Sequence, residues 1–337
     1  MSKRIGRRTA ALQTPPSVLS FANIGGRMEG QGPLAKYFDE LCEDSFFGEK
    51  TWEKAESAMQ KRVLQRALDQ AGLKPGELDC VLAGDLLNQC IGSSFGLRDF
   101  GIPFFGLYGA CSTMGESLAL AALLIDGGFA RLAAAQASSH FCTAERQYRM
   151  PVPYGNQRPP TAQWTATAAG CTILSAQGPG PYITHVTCGK IVDKGITDPN
   201  NMGAAMAPAA YDTLHAFFTD MKTSPADYDA IFTGDLGELG HAIVTDFFRQ
   251  DGIDMTKNYF DCGMLLYDRE KQDMHAGGSG CGCSAAVFNG YLLTGLKQGR
   301  WRRILFAPTG ALLSPTSSFQ GESIPGICHL VCVSTER

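Results

Sequence analysis

The sequence has no hydrophobic run long enough to cross a lipid bilayer. Its longest strongly apolar stretch, residues 118–125, is much shorter than the roughly 20 residues of a membrane-spanning helix. It also lacks an excess of positive charge, because 29 Lys and Arg residues face 33 Asp and Glu residues, for a formal net charge of −4. This balance gives no electrostatic case for binding nucleic acid or an anionic membrane surface. Any association with a membrane is therefore expected to run through partner proteins.

A secretory signal is absent as well. Four basic residues, Lys3, Arg4, Arg7 and Arg8, are followed at residues 9–20 by two prolines and by no continuous apolar run. A signal peptide needs such a run after its basic start. We therefore expect this cluster to be a solvated leader into the first strand of a cytoplasmic protein.

The twelve cysteines lack the spacing of a disulfide framework or a metal site. They are scattered through apolar runs of a long chain, which is typical of free thiols in a reducing compartment. Cys281 and Cys283 form one close pair, but no second Cys or His pair lies at zinc-site spacing from them. We expect no bound metal and no cofactor.

What the sequence does contain is an internal repeat. Residues 77–86 and residues 227–236 each read as a turn and a buried strand that ends in Gly-Asp, at Asp85 and Asp235. Repetition of one such unit in a single chain indicates a duplicated α/β structure.

Strand and helix alternate in both halves. Predicted helices at residues 52–71 and 209–221 precede the repeated strands, and a turn of small residues in each half opens a further Ala-rich helix. This alternation favours parallel sheets covered by helices. Turn residues cluster near residues 177–181, so we predict an N-terminal half at 1–178 and a C-terminal half at 179–337.

Cys111 lies at a tight turn between the apolar strand predicted at residues 102–108 and the helix that follows. A thiol at a helix N-terminus faces unpaired backbone N–H groups and the positive end of the helix dipole, and both lower its pKa. The arrangement suits a nucleophile or an anion-binding cradle. The alternative is a buried cysteine at an ordinary strand-to-helix turn.

Four motifs carry a resemblance to a known family. They are Lys190-Ile-Val-Asp-Lys-Gly195, Thr233-Gly-Asp-Leu-Gly237, and the segments at residues 154–164 and 198–210. With the repeat, they make the chain similar to the thiolase-like fold of ketoacyl synthases and thiolases, and within it to the stage V sporulation protein AD family. The resemblance implies an α/β, five-layered αβαβα architecture of two duplicated βαβαβαββ halves, with Cys111 opening a buried helix.

The family resemblance also implies a function. Its members are taken to be non-enzymatic spore proteins that bind dipicolinic acid (pyridine-2,6-dicarboxylic acid), or its calcium chelate. They assist its uptake into the forespore and its release at germination, within a complex of other stage V sporulation A proteins at the spore inner membrane. The resemblance further implies a homodimer that pairs through the first-half edge strand, near residues 132–138.

Condensation on this fold needs a second-half His at the strand end and a His or Asn on the turn at residues 277–283. Here these places hold Asp235 and, on the turn, only Gly, Ser279 and cysteines. An ionised Asp235 would oppose a developing negative charge. His241 is either a displaced base or, as we favour, a helix histidine, so we expect condensing activity to be lost. The alternative is a Cys111-dependent acyltransferase or condensing enzyme that acts on a CoA or carrier-protein thioester.

A cleft that binds a planar dicarboxylate needs cations or N–H donors and an aromatic face. Arg146, Arg149 and Trp164 supply these in a segment expected to cover the site, unless that segment is an exposed or dimer-contacting insertion. Asp85 and Asp235 would contact a calcium chelate, or else cap the helices that follow them. The full set predicted to bind the ligand is Cys111, His140, Arg146, Arg149, Gln163, Trp164, Asp85, Asp235, Ser279 and Cys281.

Overall fold

The computed structural model describes residues 3–148 and 158–337. The strands up to the middle of the chain are β1 (Arg4–Ile5), β2 (Thr9–Ala11), β3 (Ser17–Gly26), β4 (Glu40–Cys42), β5 (Cys80–Gly84), β6 (Phe104–Leu107), β7 (Leu132–Ser139), β8 (Trp164–Thr165) and β9 (Ala168–Ser175). The later strands are β10 (Tyr182–Thr187), β11 (Ala230–Thr233), β12 (Tyr259–Asp261), β13 (Gly278–Ser279), β14 (Arg303–Ala307), β15 (Thr309–Ala311), β16 (Gly326–Cys328) and β17 (Leu330–Ser334).

Ten α-helices are found among the described residues. They are α1 (Trp52–Ala71), α2 (Ile91–Leu97), α3 (Thr113–Asp126), α4 (Phe141–Tyr148), α5 (Met202–Met221), α6 (Gly237–Gln250), α7 (Cys262–Leu266), α8 (Cys281–Val287), α9 (Leu293–Lys297) and α10 (Pro315–Phe319). A π-helical turn at Phe288–Leu292 joins α8 to α9 into one continuous helix.

The sheet repeats the same order of strands in each half. One half runs β6-β5-β7-β9-β3 and the other runs β12-β11-β14-β17-β10, and the two join where Ser17 pairs with Tyr182. The first three strands of each half are parallel, as the sequence predicted, but β9 and β17 are antiparallel to both neighbours. A parallel neighbour requires a crossover back to the starting edge. Because β9 is antiparallel to β7 and β17 is antiparallel to β14, the chain enters each closing strand at the edge of the sheet where its neighbour ends.

Three apolar cores hold five layers of structure together. The central core holds α3 and α8–α9 between the two halves of the sheet, with Leu118 and Phe288 completely buried. An outer core packs α1 on the first half through Leu64, and another packs α5 and α6 on the second half through Phe217. Helix α3 passes so close to the chain after β14 that a Cβ at Gly115 would lie 2.5 Å from the Cγ of Pro308. This αβαβα layering is the architecture that the resemblance implied.

Helix α1 has the predicted limits, whereas α5 begins seven residues earlier than predicted. Thr51 caps α1 by accepting a hydrogen bond from the Lys54 N–H, and Asn201 caps α5 in the same way through the Ala204 N–H. Pro208 therefore lies inside α5 rather than before it. Proline removes one intrahelical hydrogen bond, and here the buried packing of the helix outweighs that loss.

The dimer strand predicted at residues 132–138 is wrong. These residues belong to β7, which hydrogen-bonds to β5 on one side and to β9 on the other, so it is an interior strand. The edge strand of this half is β6, which pairs only with β5 within the described residues.

The N-terminal segment is not a solvated leader. Strand β2 pairs with β10, with Ala11 opposite His185 and Thr9 opposite Thr187, and β1 pairs with β2. Residues before the predicted boundary thus add a strand beside the second half. The division at 178/179 falls between β9 and β10 and stays a prediction. Within the described residues, no helix is both long enough and apolar enough to span a membrane.

Candidate functional site

Cys111 is held by a strained turn between β6 and α3. Ala110 adopts a left-handed backbone with φ of 48°, which costs a residue with a Cβ roughly 1–2 kcal/mol. The Thr113 hydroxyl holds this turn, because it donates to the Ala110 carbonyl at 2.6 Å and accepts from the Gly109 N–H at 3.2 Å. The strain fixes the direction in which the thiol leaves the turn.

The Cys111 thiol faces a hydroxyl backed by a carboxylate. Its sulfur lies 4.0 Å from the Ser279 oxygen, and Ser279 donates to Asp235 at 3.1 Å. Asp235 also accepts from the Gly280 N–H at 3.1 Å and from the Thr309 hydroxyl at 2.9 Å. The end of β11, the turn at β13 and the start of β15 therefore converge on Cys111, so Asp235 and Ser279 meet Cys111 where the sequence placed the missing catalytic pair.

The electrostatics of this site disfavour a thiolate. Burial, and then the charge of Asp235, raise the pKa of the Cys111 thiol well above its usual value. The expectation that the helix N-terminus would lower that pKa is therefore wrong. Burial likewise raises the pKa of Asp235 to about 7, with a further contribution from Asp261.

All six histidines lie in the described part of the chain, and none of them lines the cavity at Cys111. His241 is inside α6, where its Nε2 lies 3.3 Å from the Tyr259 carbonyl and its ring stacks on Tyr259 at 4.3 Å. This is the structural role that the sequence favoured for it. The others are His140, His185, His215, His275 and His329.

His140 does not reach Cys111, contrary to its place in the predicted ligand set. Its Nδ1 accepts the Cys142 N–H at 3.1 Å, so its Nε2 carries the proton and donates to the Ser45 carbonyl at 2.7 Å. Burial lowers the pKa of this imidazole, which stays neutral. His140 lines a separate cavity that it shares with Trp164.

The cavity beside Cys111 is small and mostly apolar. Its volume is about 40 Å³, room for roughly three water molecules. Glu145 is the one charged side chain among its described lining residues. These residues are Leu86, Tyr108, Ala110, Cys111, Ala144, Glu145, Tyr148, Thr165, Met202, Ser279, Ala311 and Leu313.

Two tyrosines join across this cavity. The Tyr148 hydroxyl donates to the Leu86 carbonyl at 2.5 Å, so the Tyr108 hydroxyl donates to Tyr148 at 2.7 Å. Tyr108 is 44% exposed and reaches from the cavity to the surface. The hydrogen-bonded pair therefore forms a part of the cavity wall that also contacts solvent.

Asp85 serves as a cap, as one of the two alternatives proposed. Its carboxylate accepts from the Leu87 N–H at 2.9 Å and from both the N–H and the hydroxyl of Ser93, at 2.7 and 2.6 Å. Glu56 lies beside it, and burial raises the pKa of Glu56 to about 8. Asp85 is not among the residues that line the Cys111 cavity.

For Asp235 the capping alternative is wrong. The chain after β11 is held instead by Asp261, which accepts from the Leu236 N–H at 2.9 Å and the Gly237 N–H at 3.1 Å. Asp235 is thereby left to face Ser279. No local sequence pattern distinguishes Asp85, which caps a helix, from Asp235, which does not, because Asp261 reaches this position from β12.

Cys281 and Gln163 lie behind the cavity rather than in its wall. The Cys281 thiol donates to the Ser138 carbonyl at 2.9 Å. The Gln163 amide donates to the carbonyl oxygens of Asp235 and Gly278. Both side chains support the polypeptide that carries Asp235 and Ser279.

Two of the groups predicted to hold a dicarboxylate, Arg146 and Trp164, are not brought to this cavity. Arg146 pairs with Glu53 instead. Trp164 stacks on Phe141 with ring centroids 3.8 Å apart. Arg149 lies outside the described residues. The sequence could not anticipate these pairings, since Glu53 is far away along the chain.

Sequence reasoning missed the two tyrosines and Thr309. Tyr108 ends the apolar strand three residues before Cys111, which is the one signal that pointed to it. Tyr148 and Thr309 reach the site only through the folded arrangement of α4 and β15.

The described residues offer no ready metal centre. Across residues 3–148 and 158–337, no three His, Cys, Asp or Glu side chains come together as ligands. All twelve cysteines are free thiols, as the sequence predicted.

Comparison with known proteins places this geometry in a family. The family model for stage V sporulation protein AD (SpoVAD) matches residues 6–334. The stage V sporulation protein AD of Bacillus subtilis strain 168 is 44% identical over 328 residues, which cover 97% of this chain and 96% of that protein.

Solved structures share the fold at low sequence identity. The 3-oxoacyl-[acyl-carrier-protein] synthase III of Aquifex aeolicus VF5 aligns with a TM-score of 0.60 and 11% identity, over 95% of this chain and 99% of that one. Human mitochondrial 3-ketoacyl-CoA thiolase in complex with CoA aligns with a TM-score of 0.55 and 12% identity, over 96% and 99%. The chain therefore has the thiolase-like fold and belongs to the stage V sporulation protein AD (SpoVAD) family.

Proposed function

We propose that this protein binds dipicolinic acid in the cavity beside Cys111 without performing thioester chemistry. The observation that supports it most is the replacement of an imidazole by the Ser279–Asp235 pair opposite the thiol. Membership of the stage V sporulation protein AD family supports the ligand.

The site is poorly built for condensation. A nucleophilic cysteine reacts as its thiolate, and here burial and Asp235 both favour the thiol. Carbon–carbon bond formation also develops negative charge that a positioned donor must stabilise. Asp235 is a carboxylate when ionised, so it opposes that charge.

The charge of the lining favours the calcium chelate over the bare dianion. The described lining supplies the hydroxyl groups of Tyr108, Thr165 and Ser279, and its one charged group is the carboxylate of Glu145. A dianion placed there would pay for desolvation, and the described lining offers it no cation. The one-to-one complex of Ca²⁺ with dipicolinate is neutral overall and brings its own cation.

The cavity must widen to admit a pyridine ring with two carboxylates. About 40 Å³ does not hold such a ligand. Parting Tyr108 from Tyr148 breaks one hydrogen bond and opens the side toward solvent. The freed phenol rings then offer the aromatic faces that stack on a pyridine.

The proposal includes where the protein acts and how its copies associate. With no membrane-spanning helix in the described residues, it would act at the spore inner membrane through other stage V sporulation A proteins. We place its homodimer contact at β6, where Phe104 and Phe105 are exposed on an edge strand. An exposed apolar edge strand invites pairing with another copy.

Calorimetry with dipicolinate in the presence and absence of Ca²⁺ tests the binding. We expect saturable binding that is at least tenfold tighter with Ca²⁺, and its loss in Ala311→Phe, which fills the cavity. Ala226→Phe, at an exposed position, is the matched control. No heat at millimolar ligand, or equal affinity in the Ala311→Phe variant with its melting temperature preserved, contradicts the proposal.

Acyl transfer through Cys111 is the second candidate, and the strained turn at Ala110 that presents the thiol is the observation in its favour. Incubation with acetyl-CoA followed by intact-mass measurement separates the two functions. An acyl adduct that disappears in Cys111→Ala would establish acyl transfer.

A further inference from the structure

A larger cavity, between the N-terminal segment and α5, is lined by cations. Its volume is about 400 Å³, against about 40 Å³ beside Cys111. Four cationic side chains line it against one lining carboxylate, that of Asp220. The four are Arg4, Arg7, Arg8 and Lys190. The chain as a whole carries a net charge of −4, so this concentration of positive charge stands apart from the average.

The turn that carries the arginines is fixed in place by Asp220. The carboxylate of Asp220, on α5, accepts the backbone N–H groups of Arg7, Arg8 and Thr9, each at 3.0 Å. These bonds lower the pKa of Asp220 and occupy its oxygens. Gly6, with φ of +58°, lets the turn approach so closely that a Cβ there would overlap that carboxylate. The arginine side chains are therefore presented by a built turn.

Arg8 and Lys190 converge on the same neighbour from different parts of the chain. The Arg8 Nη2 lies 2.7 Å from one Asp212 oxygen and the Lys190 Nζ lies 2.8 Å from the other. The Arg8 Nη1 is buried, and no group in the described part of the chain accepts a hydrogen bond from it. A buried guanidinium N–H without an acceptor costs free energy unless a ligand supplies one.

We propose that this cavity is an anion site that binds a phosphate group. Guanidinium forks and an ammonium group arranged around a concave space are the donors that hold phosphate oxygens. The backbone N–H groups of the turn are already used by Asp220, so the side chains alone contact the ligand. The phosphate belongs either to a small phosphate compound or to the headgroup of an anionic lipid. The site is independent of the cavity at Cys111.

Binding of inorganic phosphate to the full chain, measured by calorimetry at constant ionic strength, tests one source. Sedimentation with vesicles of phosphatidylglycerol, against vesicles of phosphatidylcholine, tests the other. The variant is Arg7→Gln combined with Lys190→Gln, because both side chains are exposed. Neither substitution removes a backbone N–H group, so the hydrogen bonds from the turn to Asp220 are kept. Arg98→Gln, an exposed arginine on another face, is the control.

We expect at least one probe to bind saturably and the double variant to weaken that binding at least tenfold, with Arg98→Gln unchanged. Binding of phosphate alone assigns a small ligand, and binding of phosphatidylglycerol vesicles assigns a headgroup. Failure of both probes to bind the native chain, or equal binding by a double variant of unchanged melting temperature, overturns the proposal. None of these measurements uses dipicolinate, so their outcome does not depend on whether the proposed function is correct.

Discussion

The Ser279 hydroxyl donates a hydrogen bond of 3.1 Å to the Asp235 carboxylate, directly opposite the Cys111 thiol. This pair occupies the position at which the resemblance to ketoacyl synthases requires proton-handling side chains. It leaves the thiol beside a buried carboxyl group and a small, mostly apolar cavity.

Removing the charge of Asp235 should make Cys111 more reactive. In Asp235→Asn the thiol loses the charge that helps to raise its pKa, so alkylation by iodoacetamide at neutral pH should accelerate roughly tenfold. The rate is followed by intact mass as a function of pH. Asp229→Asn, at a position away from the cavity, is the control, and equal rates in native protein and Asp235→Asn would show that burial alone sets the reactivity.

Glu56 and Asp235 should contribute less stability to the fold as the pH rises from about 4.5 to about 8. Burial raises the pKa of Glu56 from 4.5 to about 8 and that of Asp235 to about 7, so the folded state binds these protons more tightly than the unfolded state. Their contribution is complete below the unfolded pKa and is lost as the pH passes the folded pKa. Glu56→Gln should flatten this decline in melting temperature, whereas Glu322→Gln, at an exposed site, should not. The same pH dependence of the melting temperature in native protein and in Glu56→Gln would contradict the assignment.

Loosening the tyrosine pair should open the cavity. Tyr148→Phe removes the donor to the Leu86 carbonyl and the acceptor for Tyr108. Loss of about 1 kcal/mol of hydrogen bonding corresponds to roughly fivefold faster access to Cys111. Alkylation rates at a pH where the thiolate fraction is equal measure this access. Tyr291→Phe serves as control, and an unchanged rate in Tyr148→Phe would show that solvent reaches the thiol by another side.

If β6 forms the proposed dimer contact, a charge on this strand should separate the two copies. Phe105 is 50% exposed on β6, and Phe105→Asp would place a charge inside a strand-to-strand contact. Light scattering at micromolar concentration should then show a monomer where the native chain is a dimer. Phe129→Asp, on a side chain that is 83% exposed and lies outside the strand, should remain dimeric. A native monomer, or a dimer in Phe105→Asp, rejects this contact.

The duplicated architecture could be predicted from the sequence because the repeat is local. Each copy carries its own apolar strand, its Gly-Asp end and its small-residue helix start, so Asp235 and Ser279 could be placed near Cys111. The direction of β9 and β17 could not be predicted, because strand direction depends on the path of the chain between elements.

The failures at the site have a common physical origin in contacts between distant segments. Arg146 turns away because Glu53 holds it, and Asp261 takes the capping role that Asp235 was expected to share. The pKa of Cys111 follows burial, which a sequence pattern at a helix start does not report. His140 is held by both kinds of contact, because it accepts from the nearby Cys142 N–H and donates to the carbonyl of Ser45, which is distant along the chain.

A crystal structure of the protein soaked with calcium dipicolinate tests the central claim most directly. The account predicts the chelate in the cavity beside Cys111, with Tyr108 and Tyr148 parted and the thiol sulfur not bonded to any ligand atom. A chelate bound elsewhere with this cavity still closed, or a covalent bond between the sulfur and a ligand, would contradict it.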